Sequence, residues 1–402
     1  MPDATATLRS HWTLDPSVAF LNHGSFGACP RAVLAAQDRW RARLEAEPVR
    51  FMVRVLEPGL DAARDEIGRF VGADPDDLAF VPNATTGVNT VVRSLDLAPG
   101  DELLTTDHVY NACRNVLRVV ADAAGARVVV VAVPFPLRSP DDVVAAVLAS
   151  VTPRTRLALV DHITSPTGLV FPVERIVREL SQRGVDTLVD GAHGPGMVPL
   201  DLRTLGAAYY TGNFHKWTCA PKGAAMLWVR RDLQPRVRPL VISHGSNSPR
   251  RDRSRFRLEF DWGGTDDPTP YLCVPDALRE VGGLVAGGWP AVMAQNRAKA
   301  LAMRTRLAAR LGAALPCPDE MIGSLAAIPL PDAPPGEDAT APFQTRLQTA
   351  LVERHRIQVP IVVWPTLPRR FVRISAQLYN APEEYDRLAD ALIEELAAER
   401  RG

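Results

Sequence analysis

Lysine is nearly missing from this 402-residue chain: only Lys216, Lys222 and Lys299 stand among its 46 basic residues. Chemistry that needs a side-chain amine therefore has three candidates. An excess of charge is missing too, since 46 basic residues face 46 acidic ones. That excludes the basic footprint of a nucleic-acid binder, so no nucleic-acid partner is expected. The longest basic run, Arg250 to Arg257, is short, includes Asp252 and reads as a solvated loop. Apolar runs are too short for a membrane helix, so no membrane partner is expected. The start, Met1 to Arg9, lacks the apolar stretch of a signal peptide. Cysteine is sparse. Cys29, Cys113, Cys219, Cys273 and Cys317 form no C-x-x-C pair, which reads as reduced thiols in a cytoplasmic protein. No G-x-G-x-x-G follows the first strand, which sets aside a dinucleotide-binding enzyme.

What is present is alternation. Short apolar runs at Leu78–Val81, Glu102–Thr105, Arg127–Val131, Arg156–Val160, Thr187–Val189, Ala207–Tyr210 and Ala224–Val229 read as strands. Amphipathic stretches lie between most of them, such as Val109–Ala124, Asp141–Ser150 and Val173–Arg183. Near-continuous apolar strands separated by helices predict an α/β fold whose mostly parallel, seven-stranded sheet is covered by helices. The Gly/Pro-rich stretch Val281–Pro290 reads as a boundary. After it come a long helix (Ala291–Gly312), a strand (Ser324–Ile328), a helix (Pro342–Arg354), strands at Gln358–Val362 and Phe371–Ile374, and a closing helix (Glu383–Glu399). The expected organisation is an N-terminal segment (1–20), a large α/β domain (21–285) and a small α+β domain (286–402).

Five polar or Gly-rich segments each follow an apolar strand, where open α/β sheets place their ligands. In Thr211-Gly-Asn-Phe-His-Lys-Trp, Lys216 beside His215 could lose its proton by desolvation and attack an aldehyde; the plain alternative is a surface lysine. In Val189-Asp-Gly-Ala-His, Asp190 needs a cationic partner, which a protonated pyridine nitrogen would supply, and His193 could touch a ring hydroxyl. The alternatives are a capping Asp or a metal pair of His193 with His215. In Asn83-Ala-Thr-Thr-Gly, Thr85 and Thr86 open a helix, as a phosphate site or as an ordinary N-cap. His108 or Tyr110 could stack on a flat heterocycle. Ser165 could hydrogen-bond a ring oxygen.

Taken jointly, Leu21-Asn-His-Gly-Ser-Phe-Gly, Asn83-Ala-Thr-Thr-Gly-Val-Asn, Ser165-Pro-Thr-Gly, Asp190-Gly-Ala-His, His215-Lys-Trp with Ala220-Pro-Lys-Gly, Gly263-Gly-Thr-Asp and Val372-Arg-Ile-Ser-Ala-Gln-Leu-Tyr-Asn resemble the class V aminotransferase family of fold type I, and more closely its isopenicillin N epimerase-like branch. The resemblance implies pyridoxal 5′-phosphate as cofactor and a homodimer with active sites at the subunit interface. It implies Lys216 as the Schiff-base lysine and Asp190 as partner of the pyridine nitrogen. Ala84, Thr85, Asn213 and His215 would hold the phosphate, and Thr265 would reach the neighbouring subunit's cofactor. Arg373 would bind the substrate carboxylate through its fork. Asn22 and His23 would line the substrate entrance. Lys222 would be structural and Lys299 a surface residue. Pro360–Arg370 contains no cysteine, which argues against persulfide-forming desulfurase chemistry.

The implied chemistry is bond breaking at the α-carbon of an amino acid. Expected first is β-elimination from an S-substituted cysteine (a C–S lyase), which needs one base, Lys216. An epimerase needs an acid on the second face, from His108, Tyr110 or His23. Transamination, decarboxylating or oxidative outcomes, and a PLP-fold protein that only binds, complete the alternatives. The resemblance also implies a place in specialised metabolism of the antibiotic-forming kind.

Overall fold

The structure, a computed structural model, describes residues 8–337 and 344–401. Residues 1–7 of the expected N-terminal segment, and Pro342 and Phe343 of the expected helix Pro342–Arg354, lie outside the described residues; the helix runs Arg346–Glu353. Among the described residues there are twelve strands: β1 (Ala19–Phe20), β2 (Leu78–Val81), β3 (Glu102–Thr106), β4 (Arg127–Val131), β5 (Thr155–Asp161), β6 (Asp186–Asp190), β7 (Tyr209–Asn213), β8 (Ala225–Val229), β9 (Leu325–Pro329), β10 (Ile357–Gln358), β11 (Ile361–Val363) and β12 (Arg370–Ser375).

The main sheet has seven strands in the order β2-β8-β7-β6-β5-β3-β4. Only β8 runs against its neighbours, so β2 to β7 all point their C-terminal ends to one edge. The strands β2, β3, β6, β7 and β8 are buried along nearly their whole length, as a sheet covered on both faces requires. One face carries Leu104, Ala158, Val160, Val189 and Tyr210 of the larger core and is covered there by the helix Val173–Ser181. The other packs Leu103, Leu157, Leu159 and Leu188 against the helices Ala84–Arg93 and Asn111–Ala124. The alternation of β5 residues between these two clusters is the period-2 signature of a strand.

After the helix Val274–Gly283 the chain enters the long helix Gly288–Leu311, and β11-β12-β9 then form an antiparallel sheet. The expected strand Gln358–Val362 is divided: Ile357–Gln358 pairs in parallel with β1, and Ile361–Val363 pairs with β12. Pro360, which offers no N–H, sits at the break.

The Arg250–Arg257 stretch is solvated along most of its length, with Arg250, Arg251, Asp252, Ser254 and Arg255 exposed, but not at its end. Arg257 is 6% exposed and, with Arg253 and Arg64, lies among Asp61, Asp76 and Asp261. Arginine bundles acidic groups contributed by a distant helix, a role its mixed sequence did not reveal.

Leu159, at 0% exposure in a central strand, offers a direct check of this packing. Leu159→Ala leaves a cavity that costs about 2–5 kcal/mol. The urea midpoint should fall accordingly, and an unchanged midpoint would contradict the placement.

Candidate active site

The C-terminal edge of the sheet opens into a cavity of about 780 Å³. It is lined by strand ends and the turns that follow them: Asn83 to Thr85 after β2, Asp107, Val109 to Asn111 and Arg114 after β3, Asp161 at the end of β5, Asp190 and His193 at and after β6, and Asn213, His215 and Lys216 at and after β7. Ser25, Ile361 to Pro365 and Arg373 close the other side.

Lys216 is the amine in this cavity. Burial lowers its pKa to about 8, with Arg373 adding repulsion and Asp190 opposing the shift. Its Nζ lies 3.2 Å from His193 Nε2. The indole N–H of Trp217, which can only donate, points at His193 Nδ1 at 3.2 Å. Nδ1 must therefore hold a lone pair, and the neutral ring carries its proton on Nε2. A donor on Nε2 faces a lone pair on Nζ, so the geometry selects the neutral, nucleophilic amine. Burial agrees, holding His193 well below the ordinary histidine range. Gly27 keeps this loop in place. Its φ of +71° suits glycine, and a Cβ there would stand 2.1 Å from the His215 carbonyl oxygen.

Asp190 is 3% exposed, and burial raises its pKa. Oδ1 accepts from the Ala192 amide at 3.0 Å and Oδ2 from the Cys113 thiol at 3.3 Å. Neither donor is a cation, and a buried carboxylate of this kind suits a protonated heterocycle. The helix Ala84–Arg93 supplies the third element. Asn83 caps it through Oδ1, accepting from the Thr86 amide at 2.9 Å, and Asn213 Oδ1 accepts from the Ala84 amide at 2.8 Å. Thr85 and Asn213 line the cavity at this N-terminus, which suits a phosphate group. His215 lines it as well; its Nδ1 lies 3.0 Å from the Ala224 carbonyl oxygen, so Nδ1 donates and Nε2 faces away from that bond. Amine, carboxylate and helix N-terminus thus fit pyridoxal 5′-phosphate.

Arg373 is the cavity's unanswered cation. It is 4% exposed, and burial lowers its pKa to about 10. Nη1 donates to the Ser165 carbonyl oxygen and, at 3.3 Å, to Ser165 Oγ, while Nη2 donates to Ser25 Oγ at 3.1 Å. Its Nε is buried with no partner among the described residues. Every contact is to a neutral group, so a carboxylate is the ligand that completes it.

Other expected residues stand elsewhere. His108 is fully buried with Nδ1 2.7 Å from Thr167 Oγ1 and its ring 4.2 Å from that of Trp364; Phe135 and Phe171 enclose it. It is not among the residues that line the cavity. Tyr110 does line it. His23 is also fully buried, its nitrogens 2.7 Å from the Tyr379 hydroxyl and 2.9 Å from the Lys216 carbonyl oxygen. It braces the Lys216 loop from behind instead of lining an entrance. Asn22 is likewise off the lining and accepts from Ser25 Oγ at 2.6 Å. The Thr86 hydroxyl is taken by Asn83 Oδ1 at 3.1 Å. Thr265 lies on an exposed turn away from this cavity. Lys222 donates to the Gly27 carbonyl oxygen at 3.0 Å. Lys299 is no free surface residue: its Nζ donates to the carbonyl oxygens of Gln377, Leu378 and Asn380. Among the described residues the one cluster with metal-binding chemistry is His355, Glu394 and Glu395, which does not include His193 or His215.

Sequence reasoning passed over Asp161, Ser25, Cys113 and Arg114. Asp161 closes β5 in register with Asp190, and its Oδ2 is buried without a partner. It ends an apolar strand just as Asp190 does, and that signal was available. No cysteine lines the cavity, and all five are buried free thiols.

The sequence model of the family described as "Aminotransferase class-V" matches residues 27–388. The chain is 39% identical to an isopenicillin N epimerase of Amycolatopsis lactamdurans, over 97% of this chain and 98% of that one. It is 33% identical to a probable chloroplastic L-cysteine desulfhydrase of Arabidopsis thaliana, over 94% of this chain and 83% of that one. Among solved structures, a cystine C–S lyase in complex with cysteine persulfide superposes with a TM-score of 0.79 at 20% identity, covering 94% of this chain and 97% of that one, a likeness of fold.

In cofactor-free protein the Lys216 amine should titrate near pH 8, read from the pH dependence of its reductive methylation. Arg373→Gln removes a repelling cation and should move that midpoint up. Asp190→Asn removes an attracting anion and should move it down. A midpoint at the ordinary lysine value, unmoved by either change, would contradict the site.

Proposed function

Since the chain belongs to the class V aminotransferase family and is a pyridoxal-phosphate-dependent enzyme, we propose that it is a carbon–sulfur lyase that performs β-elimination on an S-substituted cysteine. The observation that carries this reading is the placement of the amine: Lys216 is the one lysine on the lining, while His23 and His108, two of the three candidate second-face acids, are packed away from it. The lack of any cysteine on the lining argues for release of the sulfur and against its capture as an enzyme persulfide.

When bound, the cofactor supplies an aldehyde for condensation with an amine and a ring that accepts electrons from the α-carbon. The residues of the chain do the rest. Lys216 Nζ would hold the cofactor at rest and, once displaced by the substrate amine, take the α-proton. His193 Nε2–H holds Nζ in the orientation for that transfer. Asp190 would keep the ring nitrogen protonated, which stabilises the charge developing at the α-carbon. Thr85, Asn213 and His215 would anchor the phosphate, the imidazole of His215 becoming a donor at Nε2 once the phosphate's charge protonates it. Ala84 contributes its amide to Asn213 instead. Ser165 would face the ring oxygen. Arg373, by fixing the carboxylate, selects which bond at the α-carbon stands ready to break. With the α-proton gone, the Cβ–S bond breaks, the thiol leaves with a proton, and water converts the remaining enamine to pyruvate and ammonia.

A homodimer is part of the proposal, with Thr265 reaching the partner's phosphate. Val49, Val53, Val241 and Ile242 are 78%, 62%, 59% and 60% exposed, the apolar surface such an interface covers. Among the described residues no helix is long and apolar enough to cross a membrane.

A second reading, amino-acid epimerisation, is favoured by one observation: the Tyr110 phenol lines the cavity and could protonate the second face. The two are separated by incubating the holoenzyme with S-substituted L-cysteines and with other amino acids in deuterated water. Pyruvate and thiol in equal amounts are expected. Recovery of inverted, α-deuterated amino acid without thiol would overturn the lyase reading. Tyr110→Phe should leave thiol release nearly unchanged, whereas loss of an essential acid would slow turnover by about 10²–10⁴-fold.

A further inference from the structure

The motif Leu21-Asn-His-Gly-Ser-Phe-Gly is not explained by a substrate entrance, since Asn22 and His23 do not line the cavity. Its fifth residue does. Ser25 Oγ lies 2.6 Å from Asn22 Oδ1 and 3.1 Å from Arg373 Nη2. An amide oxygen only accepts, so the hydroxyl proton of Ser25 is committed to Asn22. The oxygen then has only lone pairs to offer, and a guanidinium only donates. The order of donation is fixed from Arg373 to Ser25 to Asn22.

On the far side, Nη1 is tied to Ser165. The guanidinium is therefore held at both terminal nitrogens by neutral oxygens. A guanidinium has five N–H donors in a rigid plane. Nε–H and the second hydrogen of Nη2 remain for a ligand, and Nε is buried with no other partner among the described residues. Two parallel donors on one edge match a carboxylate.

We propose that Ser25 is a positioning residue for recognition of the substrate α-carboxylate, acting through Arg373, and that Asn22 acts in turn through Ser25. The turn His23–Phe26 is then one jaw of the carboxylate site and Ser165 the other. Without the Ser25 oxygen the guanidinium plane would be free to turn as a whole, and the edge formed by Nε and Nη2 would lose its aim. The proposal rests on Arg373 being the carboxylate site in the reading above.

The test uses holoenzyme and two unreactive probes, L-alanine and ethylamine, which share an amine and differ in the carboxylate. Binding is followed by the change in cofactor absorbance. Ser25→Ala should weaken L-alanine by about 10- to 100-fold, the value of one hydrogen bond to a charged group, and leave ethylamine unchanged. Ser25→Thr, which keeps the hydroxyl, should restore most of the loss. Asn22→Ala should weaken L-alanine in the wild type and have no further effect in a Ser25→Ala background. In turnover Ser25→Ala should raise KM by a larger factor than it lowers kcat. Equal weakening of both probes, or no rescue by threonine, would overturn the proposal by making Ser25 merely structural. If Arg373→Ala weakens L-alanine and Ser25→Ala does not, Ser25 alone is misassigned. If Arg373→Ala leaves L-alanine binding intact, the carboxylate assignment itself fails.

Discussion

Three buried ionisable groups face one cavity, and among the described residues none of them is paired with a counterion. Lys216 meets a neutral imidazole, Asp190 meets an amide and a thiol, and Arg373 meets only serine and backbone oxygens. Burying charge in this way is costly unless something pairs with it. The fold sustains that cost because Asp190 ends a strand, Lys216 lies just beyond one and Arg373 sits within one, and two apolar cores back the sheet. What relieves it is a ligand with matching groups in matching places: an aldehyde for the amine, a protonated ring nitrogen for the carboxylate, an amino-acid carboxylate for the guanidinium. Affinity and reactivity therefore come from the same electrostatic tension.

The supporting shell sets protonation as much as position. Trp217, by donating to His193 Nδ1, places the imidazole proton on the side of Lys216. Ser25 and Ser165 hold the two ends of the Arg373 fork. His23 supports the Lys216 carbonyl while bonding to Tyr379, which links the lysine loop to the C-terminal part of the chain. Reaction choice then turns on which acids reach the α-carbon, and here the burial of His23 and His108 is informative.

Much of this was legible in the sequence. Apolar runs bounded by polar turns identified the seven strands of the sheet, and residues at their ends, Asp190, Asn213 and Lys216, line the cavity. The strands were legible because covered strands are apolar without interruption. The misplacements have a common physical cause. His23 and His108 are polar residues in motif positions, yet each has partners inside the protein for its ring, and a sequence does not show which way a side chain turns. The burial of Arg257, at the end of the mostly solvated Arg250–Arg257 run, was not legible because its carboxylate partners, Asp61 and Asp76, lie far away in the chain. Lys299 reads as a surface lysine until the three carbonyl oxygens that it binds are brought together by folding.

The account stands on Lys216 being the amine that meets the cofactor. Borohydride reduction of the holoenzyme followed by peptide mass mapping tests this directly, because the chain offers only three lysines. The pyridoxyl group should be found on Lys216. Its recovery on Lys222 or Lys299 would contradict the assignment and with it the placement of the site.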